Sequence, residues 1–214
     1  MRYTNLCRLY SFIFRRMLNK NVTPCYGKEF AKSLTQKAKS EYKALIKRTN
    51  SIGDKENPMS SNLYQGAVFV AYYKAADGKI PANEMIKISI NCLQKSILVK
   101  LATRNIHKHS DKYREWIHKT SSWTQKNADR YPLNWIIREN PAMNNKPGTY
   151  YEYMRCALFE LCKAEGCPEI APLFCMMDHV TAHFGNSKLI RKGSLAQGAP
   201  FCDFYYVEMN KENQ

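Results

Sequence analysis

The chain is 214 residues long, 44% hydrophobic and 12% aromatic, with a formal charge of +15. It is long enough for one well-buried core, and no apolar run approaches the length of a membrane-spanning helix, so a globular protein without a membrane span is expected. The charge is uneven: twelve Lys and Arg stand against two Glu in residues 1–50, fifteen against eight acids in 51–150, and six against eight in 151–214.

The basic excess reads as a solvated face of the first two thirds. There are no glycine-rich phosphate loops, RNP-type aromatics or zinc-finger spacings, so nucleic acid is not an expected partner, whereas a small anionic substrate would be drawn in by such a field. Eight cysteines without a convincing signal peptide, in a chain too large to need staples, are expected as reduced thiols of a cytoplasmic protein.

Residues 1–27 carry Leu6, Leu9, Ile13, Phe14, Met17 and Leu18 among Arg8, Arg15 and Arg16, with no acid before Glu29. The composition mimics a transit peptide, but the helical spacing predicts an amphipathic helix packed on a single domain of residues 28–209, followed by a polar tail, 210–214. Phe30, Leu34, Ala38, Tyr42 and Leu45 predict a second helix with a Lys-rich outer face. After Gly53–Pro58, Ser60 or Ser61 is placed to cap a third helix through Leu63, Ala67, Val70 and Ala71. Pro81 then introduces a long fourth helix through Met85, Ile86, Ile90, Leu93, Ile97 and Leu101, and Tyr113, Trp116, Ile117 and Trp123 mark a fifth.

The pattern changes at Tyr131. Residues 134–138 and 149–155 read as strands around an Asn-, Pro- and Gly-rich loop, residues 157–165 and 169–184 as a helix pair, and 187–196 with 201–208 as a closing hairpin. The fold class is therefore α+β: a helical amino-terminal two thirds, then a small, mainly antiparallel sheet with a carboxy-terminal helix pair and hairpin.

Chemistry-bearing side chains gather in the last sixty or so residues. On the helix ending at Phe184, with Cys175 at zero, a core face of Leu173, Phe174, Met176, Met177, Val180 and Phe184 is predicted, and Cys175, Asp178, His179 and His183 fall together opposite it. That face is either an ordinary polar surface or one wall of a half-covered pocket; a cysteine there favours the pocket. On the last strand, alternation sets Cys202, Phe204 and Tyr206 against Phe201, Asp203, Tyr205 and Val207, so Cys202 points inward and Asp203 is expected to hold a loop or a backbone amide. Cys156, Cys175 and Cys202 with His179 or His183 are candidate ligands for zinc or another divalent metal, but there is no C-x-x-C pair and no H-E-x-x-H. His107 and His109 read as incidental surface histidines.

Tyr153-Met-Arg-Cys156, Gly166-Cys-Pro-Glu-Ile-Ala-Pro172, Cys175-Met-Met-Asp178, Gly193-Ser-Leu-Ala-Gln-Gly198 and Cys202-Asp-Phe204, with Gly53–Pro58 and Asn62 earlier, resemble the L-2-amino-thiazoline-4-carboxylic acid hydrolase family over residues 28–207. The resemblance implies a hydrolase opening a cyclic amidine such as 2-amino-thiazoline-4-carboxylate at carbon 2 to give a carbamoyl-cysteine. It maps the catalytic set onto Cys156, Cys175, Asp178, Cys202 and Asp203 and does not cover His179 or His183.

Cys175 is the expected nucleophile or metal ligand and Asp178 the group that orients water or moves a proton. Arg155 is the expected carboxylate holder, with Asn57 and Asn62 as further substrate contacts. The order of elements also resembles 4-vinyl reductase type domains, and the alternative function is a non-catalytic small-molecule or metal-binding sensor. Oligomeric state is left open.

Overall fold

The computed structural model describes residues 1–143 and 146–209. The predicted polar tail, 210–214, lies outside the described residues, as do two positions of the 140–148 loop.

Two long amphipathic helices open the chain, α1 (Asn5–Tyr26) and α2 (Lys28–Arg48). Thr4 caps α1 by accepting from the Cys7 amide, and Gly27, at φ 83°, makes the corner between the helices. The buried side of α1 is the row Cys7, Ser11, Phe14, Leu18 and Val22, while Leu6, Leu9 and Phe12 are exposed. The amphipathic helix is present, but the packed stripe runs along i, i+4 neighbours rather than through the first leucines. On α2 the buried side is Ala31, Leu34, Ala38, Tyr42, Leu45 and Ile46.

The third helix, α3 (Ser60–Ala75), is buried nearly all round, from Leu63 and Tyr64 to Ala71 and Tyr72. It is the central helix, packed by α1 and α2, which is why it is apolar on every side rather than amphipathic. Neither Ser60 nor Ser61 caps it. The turn before it is held instead by buried Asn57, whose Oδ1 accepts from the Met59 amide at 2.8 Å and whose Nδ2 donates to Ile52 O and Asn134 Oδ1.

The predicted fourth helix is two. The helix α4 (Ala82–Gln94) stops at Lys95, and α5 (Ile97–Thr103) restarts because Ser96, in extended backbone, accepts from the Val99 amide. A serine that caps a new start competes with one continuous helix. Ile97 and Leu101, predicted as core, are consequently exposed, Ile97 by 74%. Ser110 caps α6 (Asp111–Lys126) in the same way.

A four-stranded antiparallel sheet follows, β1 (Ile136–Arg138), β2 (Thr149–Arg155), β3 (Ser187–Ile190) and β4 (Cys202–Glu208), in the order β1-β2-β4-β3. Between β2 and β3 run α7 (Ala157–Ala164) and α8 (Pro172–Phe184). The register sets Tyr151 opposite Phe204, Tyr153 opposite Cys202 and Leu189 opposite Tyr206, so one face carries an aromatic row, with the Tyr151 and Phe204 rings stacked 4.7 Å apart. Among the described residues, no helix is long and apolar enough to cross a membrane.

Candidate active site

The aromatic face of the sheet floors a cavity of about 920 Å³. Tyr151 and Tyr153 of β2 and Cys202, Phe204 and Tyr206 of β4 form the floor; Phe174, Cys175, Met177, Asp178 and Thr181 of α8 form one wall. The 102–108 segment adjoins that wall, Tyr113 and Trp116 of α6 line the cavity beside it, and further lining comes from Asn62 and Gly66 of α3 with Cys156, Leu158 and Phe159.

Two close backbone approaches fix that shape. A methyl group on Gly66 would meet Leu158 Cδ2 at 2.1 Å, and one on Gly185, at the end of α8, would meet Ile106 O at 2.1 Å. The histidines read as incidental fasten the same junction: His107 Nδ1 is 3.0 Å from Gly185 O, and His109 Nδ1 is 2.9 Å from Ser187 Oγ.

The helix α8 presents its residues differently from the predicted split. The covered arc is continuous from Val180 and Leu173 through Met177, Thr181, Phe174, Asp178 and Ala182 to Cys175. It spans about 220° rather than the predicted 160°, because α8 packs against α4 on one side and the sheet on the other. Cys175 and Asp178 therefore line the cavity, whereas His179, His183 and Met176 are exposed. Met176, predicted as core, lies on the wet arc with the histidines.

Asp178 is held by Arg191, whose Nη2 donates to Asp178 Oδ2 at 2.9 Å; the side chain of Arg191 is only 6% exposed. The same guanidinium lies 4.0 Å over the Phe204 ring and donates to Cys175 O and Asp203 O. Burial works against its charge, but Asp178 outweighs burial and keeps it above its ordinary range. Asp203 is on the other face of β4, where its carboxylate accepts from the Lys192 and Gly193 amides at 2.8–3.0 Å. Strand alternation thus separates it from Cys202.

The three cavity cysteines are neutral thiols at ordinary pH. Burial pushes Cys156 up to about 12 and Cys202 up to about 11. Burial also raises Cys175, with Asp178 adding and Ser194 opposing. Cys202 Sγ accepts from the Leu195 amide at 3.2 Å.

Of the residues expected to hold substrate, Asn62 lines the cavity. Arg155 is spent on the carbonyls of Asn134, Ala128 and Tyr131, and Asn57 on the backbone ahead of α3. Of the cations that line the cavity, Lys112 and Lys119 are exposed and Arg191 is paired with Asp178; the half-buried one that is left is Lys108, which the sequence reading missed. Its Nζ donates to Thr181 Oγ1 at 2.9 Å and approaches the Tyr206 hydroxyl at 3.5 Å. Among the described residues no carboxylate pairs with it. Burial lowers its pKa, Asp178 opposing and Arg191 reinforcing the shift. Its flanking histidines gave it the look of surface; Arg191, one of six basic residues after position 150, offered only its scarcity as a signal.

As for a metal, among the described residues no three His, Cys, Asp or Glu stand close enough together to hold an ion. Of the candidate ligands, Cys156, Cys175 and Cys202 face the cavity while His179 and His183 face away. No curated protein and no solved structure matches the chain. The sequence profile of the family described as L-2-amino-thiazoline-4-carboxylic acid hydrolase does match, over residues 61–206, well over half of the 214. That stretch contains the central helix but for Ser60, the sheet but for the last two residues of β4, and every wall of the cavity but its Pro58–Met59 edge, and on it the chain belongs to the L-2-amino-thiazoline-4-carboxylic acid hydrolase family.

Proposed function

We propose that the chain is a hydrolase that opens a cyclic amidine of the 2-amino-thiazoline-4-carboxylate type, by water attack at carbon 2. The observation that carries this reading is a carboxylate, Asp178, fixed by Arg191 on a cavity wall that also holds the carboxylate-free cation Lys108. Lys108 holds the substrate carboxylate. Asp178 orients the water and takes its proton as the C2–O bond forms. Collapse of the tetrahedral carbon then breaks one ring bond at carbon 2, and the proton passes to the departing ring atom. One water is added and nothing else leaves, so the product is a carbamoyl-cysteine.

Water is favoured over Cys175 as nucleophile because the thiolate, not the thiol, attacks, and burial raises the Cys175 pKa, which disfavours the thiolate. In this reading Cys156, Cys175 and Cys202 shape the cavity around the reacting carbon. Asp203 is a positioning residue: it fixes the 192–193 turn next to Arg191.

The test is to incubate purified protein with 2-amino-thiazoline-4-carboxylate in ¹⁸O-water and follow the product by mass. A product one labelled water heavier is expected; no turnover by pure, folded protein would overturn the reading. A non-catalytic ligand-binding module is the second reading, supported by the neutral thiols and the aromatic floor; tight binding without turnover would favour it.

A further inference from the structure

The volume of the cavity and the distribution of charge inside it carry a statement about what fills it. Ligand sites of roughly 300–1,000 Å³ enclose drug-sized molecules, and the cavity here is about 920 Å³. A single five-membered ring with one carboxylate would leave most of that space unfilled.

The charged groups are not spread evenly through it, although the neutral side chains of Ser61, Asn62 and Gln65 line the Gly66 end. Lys108 meets α8 at Thr181, and the Arg191–Asp178 pair lies one turn earlier on that helix. Phe174 is two turns from Thr181, a rise of about 10 Å. There it packs beside Leu158 against the bare backbone of Gly66, with Trp135 and Phe159 lining the same cavity. Between the two ends lies the Tyr151–Phe204 pair, stacked on each other, an apolar aromatic floor against which the body of an aromatic ligand is buried.

We propose that the ligand of this cavity is an aromatic carboxylate: an acid group seated at Lys108 and a fused-ring or aryl-substituted body lying on Tyr151 and Phe204 toward Leu158 and Phe174. For the reaction it rests on the hydrolase reading, of which it names the substrate class; for binding it stands alone. The scissile amidine is then one part of a larger molecule, and the aryl body supplies apolar burial that the bare heterocycle lacks.

The experiment uses the full chain and calorimetric titration with 2-naphthoate, 2-naphthylmethanol and 2-amino-thiazoline-4-carboxylate. Expected are 2-naphthoate binding at least tenfold more tightly than either of the others, and a loss of most of its advantage over the neutral alcohol in Lys108→Met, restored in Lys108→Arg. Equal or tighter binding of the bare heterocycle overturns the proposal, as does a naphthoate-to-alcohol ratio unchanged in folded Lys108→Met. Turnover separates the two claims. If naphthoate binds as expected and no cyclic amidine is hydrolysed, the ligand class stands and the hydrolase reading falls. If the bare heterocycle is hydrolysed and naphthoate does not compete, the ligand class falls and the hydrolase reading stands.

Discussion

Tyr42 and Tyr72, in the layer made by α1, α2 and α3, are fully buried with their hydroxyls spent on fixed partners: Tyr42 donates to Tyr64 O at 3.0 Å, and Tyr72 pairs with Thr35 Oγ1 at 3.2 Å. Across the molecule, the hydroxyls of Tyr113 and Tyr151 are 3.3 Å apart along a cavity, and that of Tyr206 meets Lys108. Cysteines divide the same way. Cys7 and Cys92 are closed into the helical core, whereas Cys156, Cys175 and Cys202 line open space. Residue type alone does not separate scaffold from site here. What separates them is whether the polar atom is closed into the core or faces the cavity, because only the second kind can exchange its partner for a ligand at little cost.

Substitutions should follow that division, beginning with the solid half. Leu45→Ala, in the α2 core with no exposed surface, is expected to cost about 2–5 kcal/mol in chemical denaturation; a loss below 1 kcal/mol would mean the helical layer is no more tightly packed than the cavity. At the seam, Gly185→Ala drives a methyl group into Ile106 O, and a cost of about 1–3 kcal/mol is expected, with weakened ligand binding as the 102–108 wall shifts.

A smaller effect concerns the cavity thiols. Cys156 and Cys202 are raised from the ordinary value of 9.0 to about 12 and about 11. The folded state thus holds protons that the unfolded chain releases. Their stabilisation is complete below pH 9 and is lost as pH rises through 11 to 12. Stability should therefore fall on the alkaline side, and less steeply in Cys156→Ala. At pH 8 iodoacetamide should modify exposed Cys25 before any cavity thiol; rapid alkylation of Cys175 would revive it as a nucleophile. Smallest is the comparison of hydroxyls: Tyr42→Phe is expected to cost about 1 kcal/mol and Tyr113→Phe less, since only the first leaves a buried carbonyl without its donor.

Much of this layout was legible in the sequence. The Lys-rich face of α2, the strand alternation that points Cys202 inward and Asp203 outward, and the closing hairpin follow from periodicity alone. Three features did not. Ser96 breaks the predicted fourth helix because a cap is a local hydrogen bond that the apolar period does not register. On α8, the phase placed Cys175 and Asp178 beside the two histidines, but contact with two neighbours widened the covered arc and left His179 and His183 outside it. Lys108 and Arg191 were passed over because their placement depends on tertiary partners, Thr181 for one and Asp178 with Asp203 for the other.

The proposed hydrolysis turns on Asp178, not a cavity thiol, activating the attacking group. The most direct measurement is kcat for 2-amino-thiazoline-4-carboxylate in Asp178→Asn beside Cys175→Ser, with folding of both verified by circular dichroism. A fall of about 10²–10⁴-fold is expected in Asp178→Asn and less than tenfold in Cys175→Ser. A Cys175→Ser enzyme as inactive as Asp178→Asn, or an Asp178→Asn enzyme that turns over normally, would contradict it.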